Sequence, residues 1–420
     1  MNKLKAFRSV DFDWTRQLKS VWRDPPYHLP SLHQAQLDDL VDYFENKTRD
    51  PDPDNEPLGR AIVAPAGYGK THLIGELRRR VWEMNGWFIL LDFIGIKDFW
   101  SSVALGFLNS LQVRMGNGDT QYDRLIREIG SQLGVHREMM AIAERCRGQP
   151  NALMKELVGL FTRSLARKYP NETIQHRDVV TALVLLISED LDCHSIAHAW
   201  LQGMNLDPEL VRPLGFLREN SPVEVVQGLS WIMSLVGPSL IAVDQIDAIV
   251  SASNSLARAT SGAKHEQDQA RSIVEALAQG LMDLHEKKRR AVTVVSCLEA
   301  TWKVLQETAT VAVTHRFLAP ANLRALPERE AARDLVAARL HQAYTACGFE
   351  PPYPTWPFTG AAFESAVGFS PRELLIACEA HRQRCVAEGH VTECNSFAVA
   401  EQKPEPGKSE IRGLDQIYDA

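Results

Sequence analysis

The run Ala61-Ile62-Val63, the turn Ala64-Pro65-Ala66-Gly67-Tyr68-Gly69 and the following Lys70-Thr71-His72 constrain this chain more than any other feature. The apolar run reads as a buried strand, and Leu73, Ile74, Leu77 and Val81 after it have helical spacing. A strand that ends in a Gly-rich turn and feeds a helix aims several backbone N–H groups, and the positive end of the helix dipole, at one point. Such a point grips an anion. Residues 64–71 follow the pattern G-x-x-x-x-G-K-[ST], except that Ala64 stands at the first glycine, where a methyl is tolerated if φ is negative. In that pattern Lys70 reaches the β/γ-phosphates of a nucleoside triphosphate and the Thr71 hydroxyl ligates Mg²⁺. A chance Gly-rich turn is the alternative, and the strand and helix on either side of it argue against that.

At 420 residues the chain can bury a full core, as one large domain with a satellite or as two domains. A formal net charge of −7 argues against a wholly basic nucleic-acid-binding surface and leaves only local basic patches open. No apolar run approaches the roughly 18 residues needed to span a bilayer, and Met1 to Trp14 has no apolar signal core. No membrane association is therefore expected. Seven scattered cysteines, an odd number, read as reduced thiols in a cytoplasmic protein.

Residues 1–57 read as an N-terminal helical segment and linker. The prolines of Asp24 to Pro30 forbid a helix, and Ser31 then caps one, with Gln34 at the capping-box position and Leu37, Leu40, Val41 and Phe44 on one face. Residues 58–320 form the expected core, with further strands at Trp87–Phe93, Leu240–Val243 and Ala291–Val295. Between them, 96–236 reads as a helical insertion, clearest at Phe99–Leu111, Leu153–Leu165, Val179–Leu191 and Val223–Leu235. It serves either as packing support or as a platform for a partner. Pro320 to Pro327 reads as a connector, 321–400 as a helical lid, and 401–420 as a linker-like tail.

Pro65, Gly67, Gly69, Lys70 and Thr71 fit the G-P-P-G-x-G-K-T form of the loop, so the chain resembles the AAA+ ATPases. The resemblance implies an α/β fold of three layers, with a parallel sheet of P-loop NTPase type, the helical insertion and a C-terminal helical lid. It implies ATP and Mg²⁺ as ligands, with Ala64 to His72 and Arg372 contacting the nucleotide. Asp244, at the end of its strand, takes the Walker B position that holds Mg²⁺; capping of the next turn is the plainer alternative. Position 245, usually a glutamate base, is Gln245, and an amide orients water without taking its proton. Hydrolysis is then slow, served by Asp247, or dependent on a partner. Ser296 stands at the sensor 1 position and Arg316 where an arginine finger is found, against an inert hydroxyl and a structurally paired arginine. Ser370-Pro371-Arg372-Glu373 is a helix start with Ser as N-cap and Pro at N1. A cation at N2 opposes the helix dipole unless an anion lies near, and Arg372 there matches a sensor 2 arginine.

The segment before the loop, the pair Asp244-Gln245 and the helix start Ser370-Pro371-Arg372-Glu373 together resemble the origin-recognition initiators and their signalling relatives, which implies a bacterial ATPase working on or near DNA or in phage defence. This implies self-association or a partner subunit, and DNA or an effector protein as further partners. A nucleotide-gated scaffold that binds ATP without turnover is the rival reading. Three other clusters carry less weight. Lys287-Lys288-Arg289-Arg290 and Arg78-Arg79-Arg80 read as helix-end cations rather than nucleic-acid contacts. Cys378, His381, Cys385, His390 and Cys394 have metal-type side chains but lack a paired C-x-x-C, and His194 and His198, at i and i+4 without an intervening acid, read as helix-surface histidines.

Overall fold

Four continuous apolar runs become parallel strands. β1 (Arg60–Val63), β3 (Ser239–Asp244) and β4 (Ala291–Cys297) are buried at every residue, and β2 (Trp87–Asp92) at all but its last. Unbroken runs rich in Val, Ile and Leu, without alternation, suit strands covered on both faces. A fifth strand, β5 (Ala321–Asn322), pairs with Ile62 and Val63 within the stretch expected to be a connector. The structure, a computed structural model, describes residues 3–12, 21–23, 32–50, 57–93, 98–146, 150–251, 264–308, 316–326 and 328–397.

The sheet is parallel throughout, in the order β2-β3-β4-β1-β5. From β1 the chain travels to the far edge, returns through β3 and β4, and passes β1 to reach β5. Parallel crossovers are right-handed, so reversing the direction of travel moves the connecting helix to the opposite face. The core divides in this way. Leu73, Ile74, Leu77 and Val81 of the helix Lys70–Glu83 pack with Ile62, Phe88, Leu90, Leu240 and Val294. Leu37, Leu40 and Phe44 of the helix Gln34–Thr48 join them on that face. On the other face Phe107, Ile232, Leu281 and Leu305, from the helices that follow β2, β3 and β4, pack with Val63, Ile89, Ile241, Val243 and Val295. The α/β class and parallel sheet expected from the sequence are present.

Among the described residues between β2 and β3 there are helices and one isolated bridge, Arg114 to Thr120, but no strand. Phe99–Leu111, Pro150–Lys168 and Pro222–Ser234 match the expected helices closely. The expected helix Val179–Leu191 is instead two. Arg177–Leu185 ends, and Asp190 caps a second helix, Leu191–Leu201, by accepting from the Cys193 N–H.

β2 lies at the edge of the sheet, where unpaired backbone groups need cover. Gln121, fully buried, supplies it: its amide accepts from the Phe88 N–H and the Trp82 indole, and donates to the Phe88 and Ser110 carbonyls. The Ser110 hydroxyl accepts from the Leu90 N–H. Gln121→Leu keeps the volume and strands these partners, each orphaned group costing about 1–3 kcal/mol. A loss of at least ~3 kcal/mol in denaturant-unfolding stability is the expected result.

The chain divides into two compact units. The larger takes Asp13–Ala325 and Ser370–Arg372; the smaller takes Met1–Phe12, Leu326–Phe369 and Glu373–Ala420. The N-terminal segment is thus split between them, because Phe7 and Phe12 join an aromatic core with Trp356, Phe358 and His381. In that smaller unit Cys378, Cys385 and Cys394 are buried, and the His381 ring bonds the Thr392 carbonyl at 2.9 Å. No metal-holding group occurs among the described residues, and Cys193, Cys297, Cys347, Cys378, Cys385 and Cys394 are free thiols. No described helix is long and apolar enough to cross a membrane. The tail 401–420 lies outside the described residues.

Candidate functional site

In open parallel sheets ligands bind beyond the carboxyl ends of the strands, where neighbouring strands send their connections to opposite faces. Here that place lies between β1 and β4, and the Gly-rich turn 64–69 leaves β1 there. The Ala64 N–H donates to the Cys297 carbonyl at 3.3 Å, tying the start of the turn to the end of β4. Ala64 is buried and is not among the residues with positive φ, so its methyl is accommodated. Pro65 and Ala66 are exposed, and Tyr68 is half-buried. Gly67 and Gly69 have φ of 88° and 92°, a region that disfavours any side chain. Gly69 ends the turn directly before the helix that begins at Lys70.

The polar groups of the site come from the ends of β3 and β4 and from the helix after β1. The Thr71 hydroxyl donates to Asp244 Oδ2 at 2.9 Å, and the Ser296 hydroxyl donates to Asp244 Oδ1 at 2.5 Å. One carboxylate at the end of β3 therefore links the helix after β1 to the end of β4. Burial raises the Asp244 pKa, opposed by the two hydroxyl bonds, the Gln245 N–H and the Lys70 charge. Lys70 Nζ donates to the Ala64 carbonyl at 2.8 Å and the Pro65 carbonyl at 3.3 Å, inside the curl of the turn. Burial lowers its pKa, while Asp247 and then Asp244 hold the proton on. His72 occupies the first turn of the same helix, half-buried.

Gln245 sits at φ 64° directly after Asp244. Left-handed backbone on a non-glycine residue is a strained conformation that concentrates at functional positions. Asp247, which follows closely, accepts from the Leu298 N–H at 2.8 Å and so spans the ends of β3 and β4. Cys297 is buried beside these groups, its thiol pushed up to about 12 by burial and then by Asp247.

Arg372 belongs with the sheet unit. Its N–H donates to the Gly67 carbonyl at 3.3 Å, and its side chain lies so close that a Cβ on Gly67 would meet Arg372 Cβ at 2.6 Å. The Arg372 Nε is buried and has no hydrogen-bond partner. A buried guanidinium nitrogen without an acceptor, set against a turn rich in N–H donors, is a local excess of positive charge. Gly67→Ala would put a methyl into Arg372 at a φ that costs about 1–2 kcal/mol on any L residue. It is expected to displace Arg372 and weaken anion binding at the turn roughly tenfold or more. Equilibrium dialysis against a triphosphate, beside a melting curve, checks this.

Arg316 is not brought to the turn. Its carbonyl accepts from the Gly59 N–H, just before the first residue of β1, and its guanidinium pairs with Glu286 at 2.6 Å. Several residues of the other basic clusters have partners of their own. Lys288 Nζ donates to the Pro57 carbonyl, Arg290 to the Thr48 and Ser234 carbonyls, Arg78 stacks on Trp82, and Arg79 pairs with Glu76 and Glu83. His194 and His198 stack on one another.

One neighbour of the turn escapes sequence reasoning. His33 is the residue before the helix Gln34–Thr48, and its Nε2–H donates to the Tyr68 carbonyl at 2.8 Å. The expected cap, Ser31, lies outside the described residues, and the helix starts at Gln34 rather than directly after it. A lone histidine behind a Pro-rich stretch gives no sign of a partner 35 residues away. No family model matches this chain, and no curated protein matches it.

Proposed function

We propose that this protein is a P-loop ATPase of AAA+ type that binds ATP with magnesium, hydrolyses it slowly or on stimulation by a partner, and couples nucleotide state to assembly. The observation that carries this reading is the Thr71–Asp244 hydrogen bond of 2.9 Å, closed across 173 residues of sequence at the strand ends beside the Gly-rich turn. A hydroxyl and a buried carboxylate held together in this way are the donor set a magnesium–triphosphate requires. The residues fit the ligand on two further counts. Two positive-φ glycines let the turn take a curl that side-chain-bearing residues resist, and the orphaned Arg372 Nε lacks the acceptor a phosphate oxygen supplies.

Each group then has a task. The N–H groups of the turn and the first helical residues bind phosphate oxygens, and Lys70 moves from its own carbonyls to them. Arg372 supplies a second cation. Asp244 and Thr71 would hold the magnesium, which when bound neutralises charge on the phosphates. Ser296, bonded to Asp244, keeps that carboxylate oriented. Gln245 orients water and Asp247 is the carboxylate within the group that remains to accept a proton. The remaining parts of the reading are an arginine finger at Arg316 acting on a neighbouring subunit, and association with DNA or with a phage-defence effector. Their support is the resemblance of the loop and lid motifs. A nucleotide-gated scaffold, recruiting an effector through the helical insertion, is the second reading, and Gln245 at the water-activating position favours it.

Phosphate release and particle size, measured with and without ATP and with and without duplex DNA, separate the two. Release that rises with DNA supports the ATPase. Tight binding with assembly and no release supports the scaffold, and neither binding nor assembly defeats both.

A further inference from the structure

We infer that His33 is a positioning residue for the Gly-rich turn, setting the turn's peptides for a triphosphate through the Tyr68 carbonyl. This rests on the proposed nucleotide site and deepens it. The hydrogen bond is 2.8 Å long, and because the acceptor is a carbonyl, Nε2 carries the proton. Burial also keeps the ring on its neutral side, with a pKa below the ordinary imidazole value. The ring lies beside the peptide it holds: a Cβ on Gly69 would stand 3.7 Å from His33 Cδ2 and Nε2. Fixing the Tyr68 carbonyl fixes the same peptide plane's N–H, that of Gly69, which points the opposite way.

His33 occupies φ 60°, a left-handed conformation, at the entry to Gln34–Thr48. That helix packs Leu37, Leu40 and Phe44 into the same core as Leu73, Ile74 and Leu77 of the helix leaving the turn. The imidazole is thus mounted on an element anchored to the helix whose N-terminus it serves. A glycine at 33 suits this φ better than histidine does, so local stability alone does not explain the residue.

Two variants separate positioning from packing. His33→Gly removes the donor and relieves the backbone; His33→Gln keeps a donor at the reach of Nε2 and retains the strained φ. Magnesium-ATP affinity and melting temperature are measured for both, with wild type and Lys70→Ala alongside. Losing one neutral hydrogen bond, His33→Gly should bind about three- to tenfold more weakly, without a matching fall in melting temperature. His33→Gln should stay within about twofold of wild type, even if it melts lower. The inference is overturned if both variants bind like wild type, or if affinity follows melting temperature so that His33→Gln is the weaker binder. If wild type itself fails to bind, the nucleotide site is what has failed, and His33 has nothing to position.

Discussion

Replacing Gln245 with glutamate is expected to raise the rate of phosphate release by roughly a hundredfold or more, the contribution of a positioned general base. The substitution is close to isosteric and asks nothing new of the backbone, since both residues meet the same φ of 64°. What changes is chemistry. An amide accepts a hydrogen bond from water but has no basic site at neutral pH, whereas a carboxylate takes the proton as the nucleophile attacks. The pH profile should change with it. The added glutamate works only when deprotonated, so the gain should vanish as pH falls through its pKa and level off above it. Steady-state phosphate release on matched samples reads both effects. An unchanged rate with intact ATP binding would mean that residue 245 does not face the attacking water.

Lys70→Ala is expected to have the second large effect, a loss of ATP affinity of about a hundredfold or more. Its ammonium donates only to the carbonyls of the turn, at 2.8 Å and 3.3 Å, so removing it deletes no core contact. Charged hydrogen bonds contribute about 1.5–3 kcal/mol each, and two of them to phosphate oxygens amount to about 3 kcal/mol at the low end. That is roughly a hundredfold in dissociation constant. Burial lowers the lysine's pKa by more than Asp247 and Asp244 raise it, so the folded protein bears a net cost for keeping this charge when no phosphate is bound. The melting temperature of the alanine variant should therefore match or exceed that of wild type when no nucleotide is present.

Much of this was legible because it is written in contiguous residues. The apolar runs that form β1 to β4 stand out, and the strand–turn–helix of 60–83 needs no partner to be recognised. β5 was hidden because a two-residue strand has no periodicity; only its register with Ile62 and Val63 defines it. The order of the strands was equally out of reach, since burial on both faces leaves each run looking alike. Asp244, Ser296 and Arg372 could be picked out from strand ends and a helix start. The convergence of Asp244 and Ser296 beside Thr71 depends on pairing between β3, β4 and β1, which no local pattern encodes. Asp190 shows the opposite failure: it broke an apparently continuous helix because capping outweighed apolar spacing. The cysteines near the C-terminal end had metal-type chemistry in sequence and became buried packing in three dimensions.

The most direct test is a calorimetric titration of ATP, with magnesium, into wild type and into Lys70→Ala. Saturable one-site binding to wild type, weakened about a hundredfold in the variant, is the expected result. Wild type that takes up no ATP, or a variant that binds as tightly as wild type, would contradict a phosphate grip at the end of β1.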